Sequence, residues 1–271
     1  MTETVKSAAK LIAKIIGTDR WALLGCDGDM GEGKSCLTSQ LAAEVATITN
    51  TRFTYDGNMT YMRSELKMWI DGDKDGMGQK PKKSAILADE IISMFFKRNW
   101  YDSEQIDGIE LLNKCRDRNL AVFGNVPNFW DLDSAFHSAV TLWLHVHKRG
   151  VAWLMMKDDN PWCKDKWHIN DNKKIYAKFK NPYKCKGFVC EIHFDDWSAK
   201  DKIEYYRIRN KKRVNTEGQR GNEKYRDIKK ERDNLIRYIF DKDKKMKLKD
   251  VQALVPFLSK EAIRLIKNNQ R

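Results

Sequence analysis

The octapeptide Gly28-Asp29-Met30-Gly31-Glu32-Gly33-Lys34-Ser35 constrains this chain more than any other stretch. It has the spacing G-x-x-x-x-G-K-[ST], in which glycines let the backbone curl until its N–H groups point inward at an anion. In isolation such a stretch is a glycine turn. Here an apolar run, Trp21-Ala-Leu-Leu-Gly-Cys26, precedes it and reads as a buried strand, and a helical pattern follows from Lys34 to about Thr47. In that context the loop is a phosphate cradle. Lys34 brings a point charge, Ser35 a hydroxyl for Mg²⁺, and the helix its positive N-terminal end. The expected nucleotide-binding set is Gly28, Asp29, Met30, Gly31, Glu32, Gly33, Lys34, Ser35 and Cys36.

A second apolar run, Ser84-Ala-Ile-Leu-Ala-Asp89-Glu90, ends in two carboxylates. Downstream of a phosphate loop, Asp89 is expected to hold Mg²⁺ through water and Glu90 to act as general base on the attacking water. Otherwise the pair is an acidic strand end at the surface. Leu120-Ala-Val-Phe-Gly124-Asn125 reads as a third strand. Asn125 then either senses the γ-phosphate or the lytic water, or merely ends a strand before the turn at Pro127. Lys34, Glu90 and Asn125 are thus the expected catalytic set. Arg98, Arg116 and Arg118 are candidates for an arginine finger given to a neighbouring subunit, and equally for solvated charges.

Strands alternating with helices from residue 20 to 156 predict a three-layer α/β fold of the RecA-like P-loop NTPase type, built on a mainly parallel sheet. Within it, 52–55 reads as a short strand, 61–70 and 103–116 as helices, and 140–146 and 151–156 as consecutive strands. Beyond Met156, runs at Ile175–Phe179 and Phe188–Phe194 suggest a small antiparallel appendage. From Ala199 the chain is helical and dense in charge, and residues 213–222, with Gly218 and Gly221, read as a linker. The expected boundaries are 1–198 for the ATPase domain, 199–222 for helix and linker, and 223–271 for a C-terminal helical domain.

The formal net charge of +13 favours a polyanionic partner, of which nucleic acid is the usual one for a soluble protein. No apolar run is long enough to span a bilayer. Residues 1–17 carry apolar positions at helical spacing rather than the unbroken core of a signal peptide. A cytoplasmic location, the host cytoplasm if the protein is viral, is therefore expected, and the six scattered cysteines need no disulfides there. Near the C-terminus, Leu248–Phe257 and Lys260–Asn268 read as two short amphipathic helices around a turn with Ser259 as cap. That is helix-turn-helix grammar, leaving Lys260, Arg264, Lys267 and Asn268 to meet phosphates or bases, or an ordinary hairpin for oligomer contacts.

Other constellations are weaker. Asp71-Gly-Asp73-Lys-Asp75-Gly76 imitates the opening of a calcium loop, but Lys82 stands where a bidentate glutamate is needed. Cys163, His168, Cys185, Cys190 and His193 are zinc-ligand types without a tight C-x-x-C pair. Trp153, Trp162, Trp167, Tyr176 and Tyr183 suit either base stacking or the core of a small sheet.

Several stretches together resemble the ATPases of viruses and mobile elements. They are Ala88-Asp-Glu-Ile, Lys97-Arg98-Asn-Trp-Tyr, Cys115-Arg116-Asp-Arg118-Asn119-Leu, Asn125-Val-Pro127-Asn-Phe-Trp-Asp131-Leu-Asp133 and Lys148-Arg149-Gly150-Val-Ala. These ATPases include proteins like the zonula occludens toxin and DNA-packaging motors, and they are similar to the FtsK–HerA group of DNA pumps. The resemblance covers roughly residues 20 to 156. It implies ATP and Mg²⁺ as ligands, with Gly28, Gly33, Lys34 and Ser35 on the nucleotide, Asp89 on the metal, Glu90 catalytic and Asn125 as sensor. It also implies double-stranded DNA as partner, a homo-oligomer, and a capsid or portal partner for a packaging motor. The sequence lacks the long membrane segment of the phage secretion members and the nuclease domain of a full terminase. Packaging or translocation is the leading expectation. The alternatives are a helicase loader or replication-linked ATPase, a nucleotide kinase, and an ATP-dependent DNA-binding regulator.

Overall fold

A computed structural model describes residues 2–72, 76–91, 114–129, 134–179, 181–242, 247–255 and 258–268. Arg98 and most of the helix expected over 103–116 lie outside the described residues. Two compact units are distinguished, Met1–Lys212 and Arg213–Arg271.

The first unit is built on a mixed sheet of eight strands: β1 (Thr2–Thr4), β2 (Ala22–Gly28), β3 (Met59–Thr60), β4 (Ala85–Ala88), β5 (Ala121–Asn125), β6 (Leu142–Lys148), β7 (Val151–Met156) and β8 (Phe188–His193). Their spatial order is β1-β8-β7-β6-β2-β5-β4-β3. From β6 to β3 every neighbouring pair is parallel; β7 runs antiparallel to both β6 and β8, and β1 lies parallel to β8. Of the two runs expected as an antiparallel appendage, Phe188–Phe194 supplies β8, which extends the main sheet itself. The strand β5 lies between β2 and β4.

All seven residues of β2 and all of β4 and β5 are buried, as central parallel strands covered on both faces must be. Side chains alternate across the sheet. Ala22, Leu24 and Cys26 join one core with α1 (Val5–Gly17) and α2 (Lys34–Ile48), through Ala8, Ala9, Ile12, Leu37, Leu41 and Val45. Leu23 joins the other core, where Leu66, Trp69 and Ile70 of α4 (Arg63–Asp71) meet Phe129, Trp143 and Trp167. The helix α1 starts cleanly because the Thr4 hydroxyl accepts a hydrogen bond from the Ser7 N–H, satisfying one orphan donor of its first turn.

Three local expectations are corrected. Residues 52–54 are not a strand; the chain instead turns into a one-turn helix α3 (Tyr55–Asn58), capped by Thr54, before β3. Ser134–Ala139 forms the short helix α5. Ile175–Phe179 is the second half of a helix, α6 (Ile169–Phe179), whose Asn172 is buried and hydrogen-bonded to both neighbouring loop backbones. The five-residue run alternates like a strand, but the longer segment has helical spacing. The backbone of 213–222, read as a linker, is also helical, within α7 (Ala199–Lys242).

In the second unit, α8 (Leu248–Leu254) and α9 (Lys260–Asn268) pack Val251, Ile263 and Ile266 against Ile236 and Phe240. Arg264, Lys267 and Asn268 are exposed, and the Lys267 ammonium stands 4.5 Å over the Phe240 ring.

Candidate active site

Strand register brings the expected site together. Cys26 pairs with Asn125 across β2 and β5, and Ala88 pairs with Gly124 across β4 and β5. The glycine loop, Asp89 and Asn125 therefore leave the sheet side by side, at the carboxyl ends of parallel strands, where α/β folds place their ligands.

The loop conformation demands its glycines. Gly28 has φ +141°, and a Cβ there would sit 2.5 Å from the Val146 carbonyl oxygen. Gly33 has φ +100° and caps α2, whose first-turn N–H groups are left for an anion. The Lys34 ammonium lies across the loop and donates to the carbonyls of Gly28, at 2.6 Å, and Asp29, at 2.8 Å. Burial, then the nearby Asp196 charge, pushes the Cys36 thiol up to about 11.

Asp89 is almost fully buried and is the hub of the site. Its Oδ1 accepts from the Ser35 hydroxyl at 3.1 Å and from Asn125 Nδ2 at 2.9 Å. Its Oδ2 accepts from the hydroxyls of Tyr61, at 2.7 Å, and Tyr205, at 2.6 Å. Burial first, and then the Asp89 charge, raises the pKa of both tyrosines well above the ordinary phenol value. They stay protonated and donate to that carboxylate. Asn125 also donates to Ser35 Oγ at 3.3 Å, while its own carbonyl oxygen is buried without a hydrogen-bond partner among the described residues. Ser35 and Asp89 form a compact pair of hard oxygen donors, the type that suits Mg²⁺.

Glu90 leaves the strand with φ +60°, a left-handed conformation that side chains other than glycine seldom adopt and that is concentrated at functional sites. Its carboxylate is about half exposed, and its Oε1 lies 3.8 Å from the Arg209 guanidinium. Tyr205, Arg209 and Lys212 come from the first part of α7. Lys212, also buried, donates to the Met59 carbonyl at 2.6 Å and to Glu65 at 2.8 Å. Sequence reasoning missed all three, and Tyr61 with them. A signal was present: positions 205, 208, 209 and 212 lie at i, i+3, i+4 and i+7 on one helix face.

Other expected residues are elsewhere. Arg116 and Arg118 precede β5, at the opposite end of that strand from Asn125. Arg118 is engaged there by Gln79 Oε1, at 2.7 Å, and by the Lys80 carbonyl. Neither residue enters this chain's own phosphate loop. Among the zinc-ligand types, Cys163 and His168 approach one another. Cys190 is buried in the first core, Cys185 packs against the second, and His193 pairs with Glu191 at 2.7 Å.

No protein-family model matches the chain, and no curated protein does either. Solved structures with a similar chain path include the N-terminal domain of zonular occludens toxin from Neisseria meningitidis, at 15% identity and a TM-score of 0.43 over 69% of this chain and 99% of that one. The genome-packaging NTPase B204 of Sulfolobus turreted icosahedral virus 2, in complex with ATP-gammaS, matches at 12% identity and a TM-score of 0.38 over 50% and 92%. A chain of the HORMA:CdnC:Trip13 complex of E. coli MS115-1 matches at 14% and 0.36, over 52% of this chain and 61%, less than two thirds, of that one. The fold is that of a RecA-like P-loop NTPase. The sheet order and the loop geometry establish it: a parallel core with the phosphate-loop strand next to β5, and β5 next to the strand that ends in Asp89.

Proposed function

We propose that the chain hydrolyses ATP and acts on double-stranded DNA as the oligomeric packaging or translocation motor of a virus or mobile element. The observation that carries the hydrolytic reading is the convergence of Lys34, Ser35, Asp89 and Asn125 at one strand edge, with Glu90 beside them. This supports placing the chain in the P-loop branch in which an additional strand separates the phosphate-loop strand from the acidic one.

The residues divide the work by chemistry. Lys34 exchanges its loop carbonyls for the β- and γ-phosphates. Ser35 and Asp89 would hold Mg²⁺, which, when bound, neutralises charge on the phosphate oxygens. Tyr61 and Tyr205 keep the Asp89 carboxylate turned toward Ser35. The Asn125 amide nitrogen is occupied by Asp89 and Ser35, so its carbonyl oxygen is the atom left to accept a hydrogen bond from a lytic water. Glu90 takes the proton from that water as its oxygen attacks the γ-phosphorus and the bond to the β-phosphate oxygen breaks.

The DNA part of the reading is supported by the net charge of +13 and by the exposed Arg264, Lys267 and Asn268 on α9; Lys260 completes that candidate set. Arg98, Arg116 and Arg118 remain the proposed finger candidates toward a neighbouring subunit. Steady-state ATP turnover with and without double-stranded DNA tests the whole. DNA-stimulated phosphate release is expected. A turnover indifferent to DNA, with phosphate passed to a nucleoside, would replace the motor by a kinase.

A further inference from the structure

The loop between β7 and α6 gathers three side chains that the nucleotide site does not use. Asp158, Cys163 and His168 bring one ligand atom each within 4.8 Å of one another. His168 Nε2 faces both others, at 2.6 Å from Asp158 Oδ2 and 4.0 Å from Cys163 Sγ. We infer that these three residues form a Zn²⁺ site.

The geometry lies close to what the metal requires. With Zn–N and Zn–O near 2.0–2.2 Å and Zn–S near 2.3 Å, a tetrahedral ion sets N···S at about 3.6 Å and N···O at about 3.4 Å. The observed separations differ from these by less than about 1 Å, within the reach of side-chain rotation. Imidazole with thiolate selects zinc over the hard cations magnesium and calcium. Three protein ligands leave the fourth position to water. On binding, the Cys163 thiol loses its proton to solvent and the thiolate sulfur donates to the metal, while the neutral His168 ring gives its Nε2 lone pair.

The loop is already shaped for this. The Asp158 N–H donates to the Lys166 carbonyl at 2.8 Å, and the Cys163 N–H to the Asn160 carbonyl at 3.1 Å. The Lys166 ammonium also donates to the Asn160 carbonyl, at 2.6 Å. Trp167, next to the histidine, is buried in the second core and donates to the His137 carbonyl at 3.0 Å. His168 itself is held at φ +47°. Backbone contacts thus fix the three ligand positions from within one twelve-residue stretch anchored at its histidine end. The bound ion would lock that stretch, a structural role separate from the nucleotide site. Of the five zinc-ligand types singled out in the sequence, only Cys163 and His168 take part; the third ligand is Asp158.

The test is a Co²⁺ titration of the metal-free full-length chain, followed by competition with Zn²⁺. One equivalent of Co²⁺ is expected to produce tetrahedral d–d bands and a thiolate-to-cobalt charge-transfer band, and Zn²⁺ should displace it. Cys163→Ser should remove the charge-transfer band. Both Cys163→Ser and His168→Gln should weaken affinity by roughly 100-fold or more, beyond the 10–100-fold that outer-sphere partners contribute. Cys185→Ser should bind as the unaltered chain does. Circular dichroism checks that each variant is folded, and if Cys163→Ser is not, His168→Gln decides. No stoichiometric binding, a charge-transfer band that survives Cys163→Ser, or wild-type affinity in folded His168→Gln would overturn the site.

Discussion

Two buried aspartates end neighbouring parts of the same sheet, and their surroundings differ in kind. Asp27, at the end of β2, accepts from Trp143 Nε1 at 2.8 Å, from the Phe129 N–H at 3.4 Å, and lies 2.9 Å from His145 Nδ1. Its Trp143 and His145 partners are side chains of the adjacent strand β6. Asp89, beyond β4, accepts from a serine, an asparagine and two tyrosines drawn from four separate segments. Hydroxyl oxygens can turn from donating to a carboxylate to coordinating a cation, and an indole N–H cannot. Burial of a carboxylate therefore does not mark a site; the nature of its donors does. Asp27 ties the phosphate-loop strand to β6, whereas Asp89 stands ready to exchange partners.

Substitutions should separate the two. The largest effect belongs to the loop they both flank: Lys34→Ala should abolish measurable ATP binding by calorimetry, because Lys34 is the cation that the loop itself directs into the cradle. Glu90→Gln should leave ATP affinity within about threefold while lowering turnover by roughly 10²–10⁴, the range of a lost general base. Asp27→Asn should act on stability instead. It removes charge-assisted hydrogen bonds in a buried setting, so urea denaturation should show a loss of about 2 kcal/mol, with turnover per folded molecule retained. If Asp27→Asn abolishes turnover at full stability, the contrast between the two aspartates fails. Tyr205→Phe should have the smallest effect, about 1 kcal/mol or less in stability, with a raised Mg²⁺ requirement as Asp89 loses one of its positioning donors.

What the sequence revealed follows the range over which its signals act. The glycine loop, the Asp89-Glu90 pair and Asn125 are legible because each is a local motif on a short apolar strand, and parallel pairing then brings their ends together. Tyr61 and Tyr205 are 28 and 116 residues from the carboxylate they hold, so no local pattern ties them to it. Tyr205, Arg209 and Lys212 are hidden further by a helix so rich in charge that its buried face is diluted. Ile175–Phe179 misleads because five residues satisfy a period of two before a period of 3.6 can be recognised. The strands β6, β7 and β8 are each legible as short runs, but the sequence does not show that β8 would pair with β7 and prolong the main sheet.

The claim that the site hydrolyses rather than only binds is tested most directly by following phosphate from γ-labelled ATP and Mg²⁺ in the full-length protein, with Lys34→Ala as control. Release of inorganic phosphate and ADP in equal amounts, without any added acceptor and absent in Lys34→Ala, is the predicted result. ATP that binds with Lys34 dependence yet releases no phosphate, with or without DNA, would contradict it.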